Sequence, residues 1–178
     1  MAERAILTFD LDGVLCRPPF GLNPGRGKSK RRDGSGKRNI LWYTEPGRYL
    51  GRRPMPGAVE GFRALSAQYD CRVLSARAGH SLGNARRWFR KYFDAEPEIH
   101  LRPHWKETPA QFKVRMVQEL GAYAHFEDDP HTAQWVAELI PQVFLVDWPR
   151  NDWLKGSNIH RVSRISDAAG VLSRLTPR

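Results

Sequence analysis

The sequence predicts an α/β domain, with a mostly parallel five-stranded sheet held in three layers between helices. Three observations carry this. Short apolar runs of strand length alternate along the chain with amphipathic helical stretches. The strand-like runs end in polar or acidic residues: Asp10 and Asp12, Ser75, and Glu127-Asp128-Asp129. In open α/β sheets, ligands bind beyond the carboxyl ends of the strands, which is where these residues fall.

The first strand lies in Ala5-Ile6-Leu7-Thr8-Phe9-Asp10-Leu11-Asp12-Gly13. Its apolar half reads as a buried strand. Residues i and i+2 of a strand share a side, so Asp10 and Asp12 can converge as the chain leaves the sheet. Gly13 then permits a sharp turn. Two crowded carboxylates need a cation, a shared proton or open water. A divalent metal with oxygen ligands answers this, and Mg²⁺ suits the donors. The alternative is a strand followed by an acidic turn, although aspartate is disfavoured in strands.

From residue 16 to 56 the pattern collapses into a Pro-, Gly- and Arg-rich insertion. Residues 26–38 hold seven Lys/Arg and one Asp, and so carry +6 of the net +10. Ile40-Leu41-Trp42-Tyr43 reads as a strand or hairpin arm. Pro54-Met55-Pro56-Gly57 opens a helix with Val59, Phe62 and Leu65 on its apolar side. A second strand at 71–74 ends at Ser75. A helix at 83–92 carries Arg86, Arg87, Arg90 and Lys91, and a weaker third strand follows at 98–102. Thr108 can cap the next helix, with Pro109 in its first turn. Phe112, Met116, Val117 and Leu120 form its stripe, and Gly121 ends it. A fourth strand at 122–126 runs into Glu127-Asp128-Asp129. A helix with Ala133, Val136, Ala137 and Leu139, a fifth strand at 143–146 and a tail helix at 166–175 complete the pattern.

The length of 178 residues favours one domain, 1–178, with the insertion 16–56 inside it. A formal net charge of +10 and a pI of about 10.1 point to an anionic partner, either nucleotide, nucleic acid or an acidic surface; a generally basic protein is the alternative. Cys16 and Cys71 are the only cysteines and form no metal pattern, which implies a reducing, cytoplasmic setting. No apolar run is long enough to span a membrane. Met1 to Arg4 runs straight into the first strand and leaves no room for a signal peptide.

Taken singly, the remaining candidates are ambiguous. Ser75 is a phosphate-oxygen donor or a helix cap. Arg77 is a substrate contact or a surface ion pair, and Lys113 is a solvated helix residue or a charge-offsetting group. Three consecutive acids after an apolar strand repel one another unless a cation is present.

Asp10-Leu11-Asp12-Gly13-Val14-Leu15 resembles the opening motif of the haloacid dehalogenase-like (HAD) superfamily, most of whose members are Mg²⁺-dependent phosphohydrolases. The resemblance implies a Rossmann-like core with a small irregular cap in the insertion. It implies that Asp10 attacks phosphorus and becomes an aspartyl phosphate, and that Asp12 is the general acid and base. Ser75 matches the second motif, which binds the transferring phosphoryl group, with Ala76 and Arg77 beside it on the substrate side. Lys113 takes the place of the third motif, in preference to Lys106. Glu127-Asp128 matches the fourth motif. Asp128 is then the best Mg²⁺ ligand, with Asp10, Asp12, Glu127 and Asp129 completing the shell directly or through water. These motifs span Phe9 to Pro130. A response-regulator receiver also carries acids and a lysine, but in a different order. Residues 147–151 and 159–162 loosely resemble the end of the 5′-nucleotidase-like and polynucleotide-phosphatase branches. The expected function is therefore a Mg²⁺-dependent phosphatase acting on a nucleotide or nucleic-acid terminal phosphate. A sugar-phosphate or other metabolite phosphatase and a non-catalytic nucleic-acid-binding module are the alternatives.

Overall fold

The structure is a computed structural model that describes residues 4–18, 43, 44, 47 and 49–175. The basic run 26–38 and most of the expected arm at 40–43 lie outside the described residues.

The strands are β1 (Ile6–Phe9), β2 (Asp70–Ala78), β3 (Ile99–Arg102), β4 (Ala124–Glu127), β5 (Gln142–Val146) and β6 (Ile159–Val162). They form one sheet in the order β3-β2-β1-β4-β5-β6, and every neighbouring pair is parallel. The sheet thus has six strands rather than the five expected. β6 is a half-buried edge strand with exposed Arg161, so its apolar signal is weak; pairing with β5 is what makes it a strand.

The second strand is also longer than expected. β2 extends through Ser75, Ala76 and Arg77, and its register with β3 shifts between Ser75 and Ala78. These three residues are therefore in the strand, not beyond it. An irregularity of this kind re-aims side chains at a sheet's working edge.

Five helices cover the sheet among the described residues: α1 (Ala58–Ser66), α2 (Leu82–Phe93), α3 (Pro109–Glu119), α4 (Pro130–Ala137) and α5 (Ala168–Leu175). Thr108 caps α3 in a reciprocal box with Gln111. The tail helix starts at Ala168, after a 3₁₀ turn at Ile165–Asp167. Gly61 lets α1 pack closely on that turn, since a Cβ there would lie 2.6 Å from the Ser166 nitrogen.

Side-chain alternation explains the layers. Phe9, Phe126 and Phe144 are in register on β1, β4 and β5 and stack at 4.3 and 4.7 Å. Stacked pairs contribute about 0.5–1.5 kcal/mol each beyond their burial. They share a core with Phe62 of α1, Trp88 and Phe89 of α2, and Leu172 of α5. On the opposite face, Leu74, Val143 and Leu145 pack against Phe112 and Val117 of α3 and Val136 of α4.

Candidate active site

β1 and β4 are adjacent, while the chain order runs outward from them in both directions. This is the switch point at which such sheets open a crevice. The Asp10 N–H donates to the Phe126 carbonyl at 2.9 Å, so Asp10 stays beside Glu127 just past the end of β1. Because side chains alternate, Thr8 on β1, Asp10 just past it, and His125 and Glu127 on β4 lie opposite the phenylalanine stack, towards α3.

Lys113 reaches in from α3 and is almost fully buried. Its Nζ lies 2.9 Å from Asp10 Oδ2 and donates to Glu127 Oε2 at 2.6 Å. Glu127 Oε1 accepts the backbone N–H groups of Asp128 and Asp129, each at 3.0 Å. Behind it, His125 Nε2 is 3.4 Å from Glu127 Oε2, and His125 Nδ1 is 2.9 Å from Thr8 Oγ1. A neutral imidazole protonated on Nε2 satisfies both contacts. Asp10, Glu127 and Asp128 are all buried, and each offers an oxygen within 4.8 Å of the others.

The charges follow from this geometry. Burial pushes the Asp10 carboxyl up to about 8; Lys113 opposes the rise, and Glu127 and Asp128 add to it. Burial would raise Glu127 as well, but Lys113 and the His125 hydrogen bond hold it well below the usual carboxylate range. Burial acts to lower Lys113, yet Asp10 and Glu127 raise it above the ordinary lysine value. Burial lowers His125 and outweighs the pull of Glu127. At neutral pH the Lys113 ammonium offsets Glu127, while Asp10 holds a proton and Asp128 is paired with Arg150. The three carboxyl groups offer hard oxygen donors that a divalent cation such as Mg²⁺ fits once Asp10 gives up its proton.

Asp12 faces elsewhere. Its Oδ2 accepts from Arg77 Nε at 2.9 Å, and its Oδ1 accepts from Arg77 Nη2 at 2.7 Å and Arg52 Nη2 at 2.6 Å. Its carboxylate is not in the Asp10–Glu127–Asp128 cluster. Arg77 is 2% exposed and lies over the Tyr49 ring at 4.0 Å, and its buried Nη1 has no hydrogen-bond partner. Ser75 is buried beside it, and Ser75 Oγ accepts the Arg77 N–H at 3.4 Å. The Ala76 carbonyl accepts from Arg102 of β3 at 3.1 Å. Gly13 makes the turn with φ at 87°, and its carbonyl accepts the Trp148 indole N–H at 3.0 Å.

The three acids after β4 divide their work. Asp129 Oδ1 caps α4, accepting from Thr132 N at 3.0 Å and Thr132 Oγ1 at 2.9 Å. Arg150 spans Asp128 at 2.5 Å and Asp129 at 3.2 Å. Asn151 Nδ2 donates to the carbonyls of Asp128 and Val146 at 3.0 and 2.8 Å, fixing the turn. Thus Asp10, Lys113, Glu127 and Asp128 converge, Asp12 and Arg77 pair alongside, and Lys106 stays exposed on the surface. Sequence reasoning missed Arg52, Arg150 and His125. His125 carried a readable signal, a lone polar residue alternating with Glu127 on an apolar strand. Arg52 carried none, because it sits in an arginine-rich run where no spacing marks it.

Neither a family model nor a curated protein sequence matches the chain. Solved structures do match its fold. The D,D-heptose 1,7-bisphosphate phosphatase of B. bronchiseptica, whose structure holds magnesium and phosphate, matches with a TM-score of 0.59 at 10% identity over 97% of this chain and 99% of that one. An L-2-haloacid dehalogenase matches with a TM-score of 0.60 at 14% identity, over 96% of this chain and 100% of that one. A chain of an RNA repair complex matches with a TM-score of 0.61 at 15% identity, over 82% of this chain and 43% of that one. These similarities are of fold, an architecture shared with solved structures described as haloacid dehalogenase-like hydrolases.

Proposed function

We propose that the protein is a Mg²⁺-dependent phosphomonoesterase working through an aspartyl phosphate on Asp10, with a nucleotide or nucleic-acid terminal phosphate as substrate. The carrying observation is Lys113, which bridges Asp10 and Glu127 inside a buried cluster of three carboxyl groups at the switch point. Mg²⁺ held by Asp10 and Asp128, with Glu127 directly or through water, would offset phosphate charge as a Lewis acid.

The chain's own residues supply the rest. The Asp10 carboxylate attacks phosphorus, and the ester P–O bond breaks with its electron pair going to the leaving oxygen. Asp12, entering the cycle protonated, gives that oxygen its proton. Water then attacks the phosphorus of the aspartyl phosphate, losing its proton to Asp12, and the bond to Asp10 breaks. Arg52 and Arg77 hold Asp12 in place, and the unpaired Nη1 of Arg77 is a donor suited to a phosphate oxygen. One structure of similar fold is an L-2-haloacid dehalogenase; halide leaves carbon without taking a proton, so an acid such as Asp12 beside the nucleophile favours transfer from an oxygen ester. The basic balance of the chain favours a polyanionic substrate over a sugar phosphate.

A panel of phosphate esters tests this reading: p-nitrophenyl phosphate, nucleotides, sugar phosphates, and 3′- and 5′-phosphorylated oligonucleotides. Chelation should abolish turnover, and Mg²⁺ should restore it. Asp128→Ala should raise the Mg²⁺ concentration needed at half-maximal rate tenfold or more, roughly 1.4 kcal/mol. Asp129→Ala should instead cost about 1 kcal/mol of stability through the lost cap. Equal, negligible shifts in Mg²⁺ requirement would reduce the cluster to an acidic turn.

A further inference from the structure

The charge of this chain is concentrated in two places. The insertion's residues 26–38 carry +6 and α2 carries +4, so the rest of the chain sums to zero against the net +10. α2 (Leu82–Phe93) contains Arg86, Arg87, Arg90 and Lys91 and no acid. All four are exposed, while Ala85, Trp88, Phe89 and Phe93 bury the other side. Arg86 and Arg90, and Arg87 and Lys91, are like charges at i and i+4, an arrangement that costs about 0.2–0.5 kcal/mol per pair in an isolated helix. Apart from Arg90, which meets exposed Glu96 at 3.3 Å, none of the four makes an ion pair with a described residue. The helix keeps a repulsive face that its own stability does not need.

The helix is tied to the candidate active site through its buried side. There Trp88 donates its indole N–H to the Arg52 carbonyl at 3.0 Å, and the Arg52 side chain holds Asp12. The next residue, Arg53, is exposed and unpaired among the described residues, and its carbonyl accepts the N–H of exposed Arg17 at 2.8 Å. Arg17 follows β1 and α2 follows the parallel β2, so both leave the edge of the sheet where Asp10 lies, and Arg86, Arg87, Arg90 and Lys91 run along α2 away from that edge. One helical step of four residues advances about 6 Å, so the cations form a line rather than a single anion pocket.

We propose that the exposed face of α2, with Arg17 and Arg53, is a track for the sugar-phosphate backbone of a nucleic-acid strand whose phosphorylated end enters the Asp10 site. The proposal rests on the phosphomonoesterase reading for the fate of that end, but binding along α2 is measurable without turnover. Recognition here is by phosphate charge, so it is independent of base sequence and steeply salt-dependent.

The test uses the full chain with Arg86→Gln, Arg87→Gln, Arg90→Gln and Lys91→Gln combined. These exposed changes relieve like-charge pairs, so the melting temperature should hold or rise. Binding of a fluorescent, 3′- or 5′-phosphorylated single-stranded oligonucleotide is followed by anisotropy across a salt series. Binding should weaken tenfold or more, and the slope of log affinity against log salt should flatten by about 2–3, since each phosphate contact on a single strand contributes about 0.7. Turnover of p-nitrophenyl phosphate should stay within twofold. Unchanged affinity and slope would overturn the track. So would selective loss of binding to anionic vesicles or an acidic peptide with oligonucleotide binding intact. If the variant loses oligonucleotide binding but even the unsubstituted protein hydrolyses no phosphate ester, the track stands and the phosphatase reading fails.

Discussion

Asp10→Asn is expected to lower turnover of p-nitrophenyl phosphate by more than about 10³-fold, roughly 4 kcal/mol in the barrier. An amide is a poor nucleophile and a weaker metal ligand than a carboxylate. Without metal, the same change should stabilise the protein at pH 8. Burial raises the Asp10 carboxyl to about 8, against an ordinary aspartate value near 4 in the unfolded chain. The folded state thus holds a proton that the unfolded state has lost. The resulting stability is complete below about pH 4 and falls as pH rises through about 8. Glu127 runs the other way, since its depressed value gives stability present above the ordinary glutamate range and lost in acid. Below about pH 6.5 the lowered His125, His100 and His160 add stability as pH rises, so Asp10 sets the trend only between pH 7 and 8. Thermal melts of chelated protein should show the parent chain losing stability from pH 7 to 8 and the Asn variant holding steady. At pH 8 the variant should melt about 3 °C higher, near 1 kcal/mol for a chain of this size. Near-native turnover by the Asn variant would reject the aspartyl-phosphate route.

Lys113→Met should cost both stability and rate. The ammonium is the direct cationic partner of buried Asp10 and Glu127. Breaking a buried pair by removing one member costs about 3–5 kcal/mol, because the other charge is left uncompensated. A fall in melting temperature of about 10 °C follows for a chain of this size. Turnover should drop by about 10²-fold or more, as the charge offsetting nucleophile and phosphate is gone. Lys106→Met is the matched control: Lys106 is exposed, and surface changes of this kind stay within about 0.5 kcal/mol. Comparable losses in both variants would remove Lys113 from the centre of the site.

Much of the architecture was legible because its signals are local. Strand and helix periods marked every element except β6, whose pattern is too short and half-exposed to stand out. Thr108 and Pro109 announced the start of α3 through cap chemistry that needs no tertiary context, and the structure adds Gln111 to close the box. Asp10 and Glu127-Asp128 stood out because acids seldom end apolar strands without a purpose.

What the sequence determined by itself is the order of elements and the set of carboxylates at the strand ends, since both follow from side-chain period and from the cost of crowding like charge. Tertiary structure decided the partners. Adjacency of β1 and β4 brought Asp10 to Glu127 across more than a hundred residues, and α3 packing on that face chose Lys113 over Lys106. Tertiary contacts likewise set Asp12 against Arg52 and Arg77, and Arg150 against Asp128. An arginine in a basic run looks the same in sequence whether it faces water or a buried acid. Only the distance to a carboxylate, set by the fold of the whole chain, separates Arg52 from Arg53.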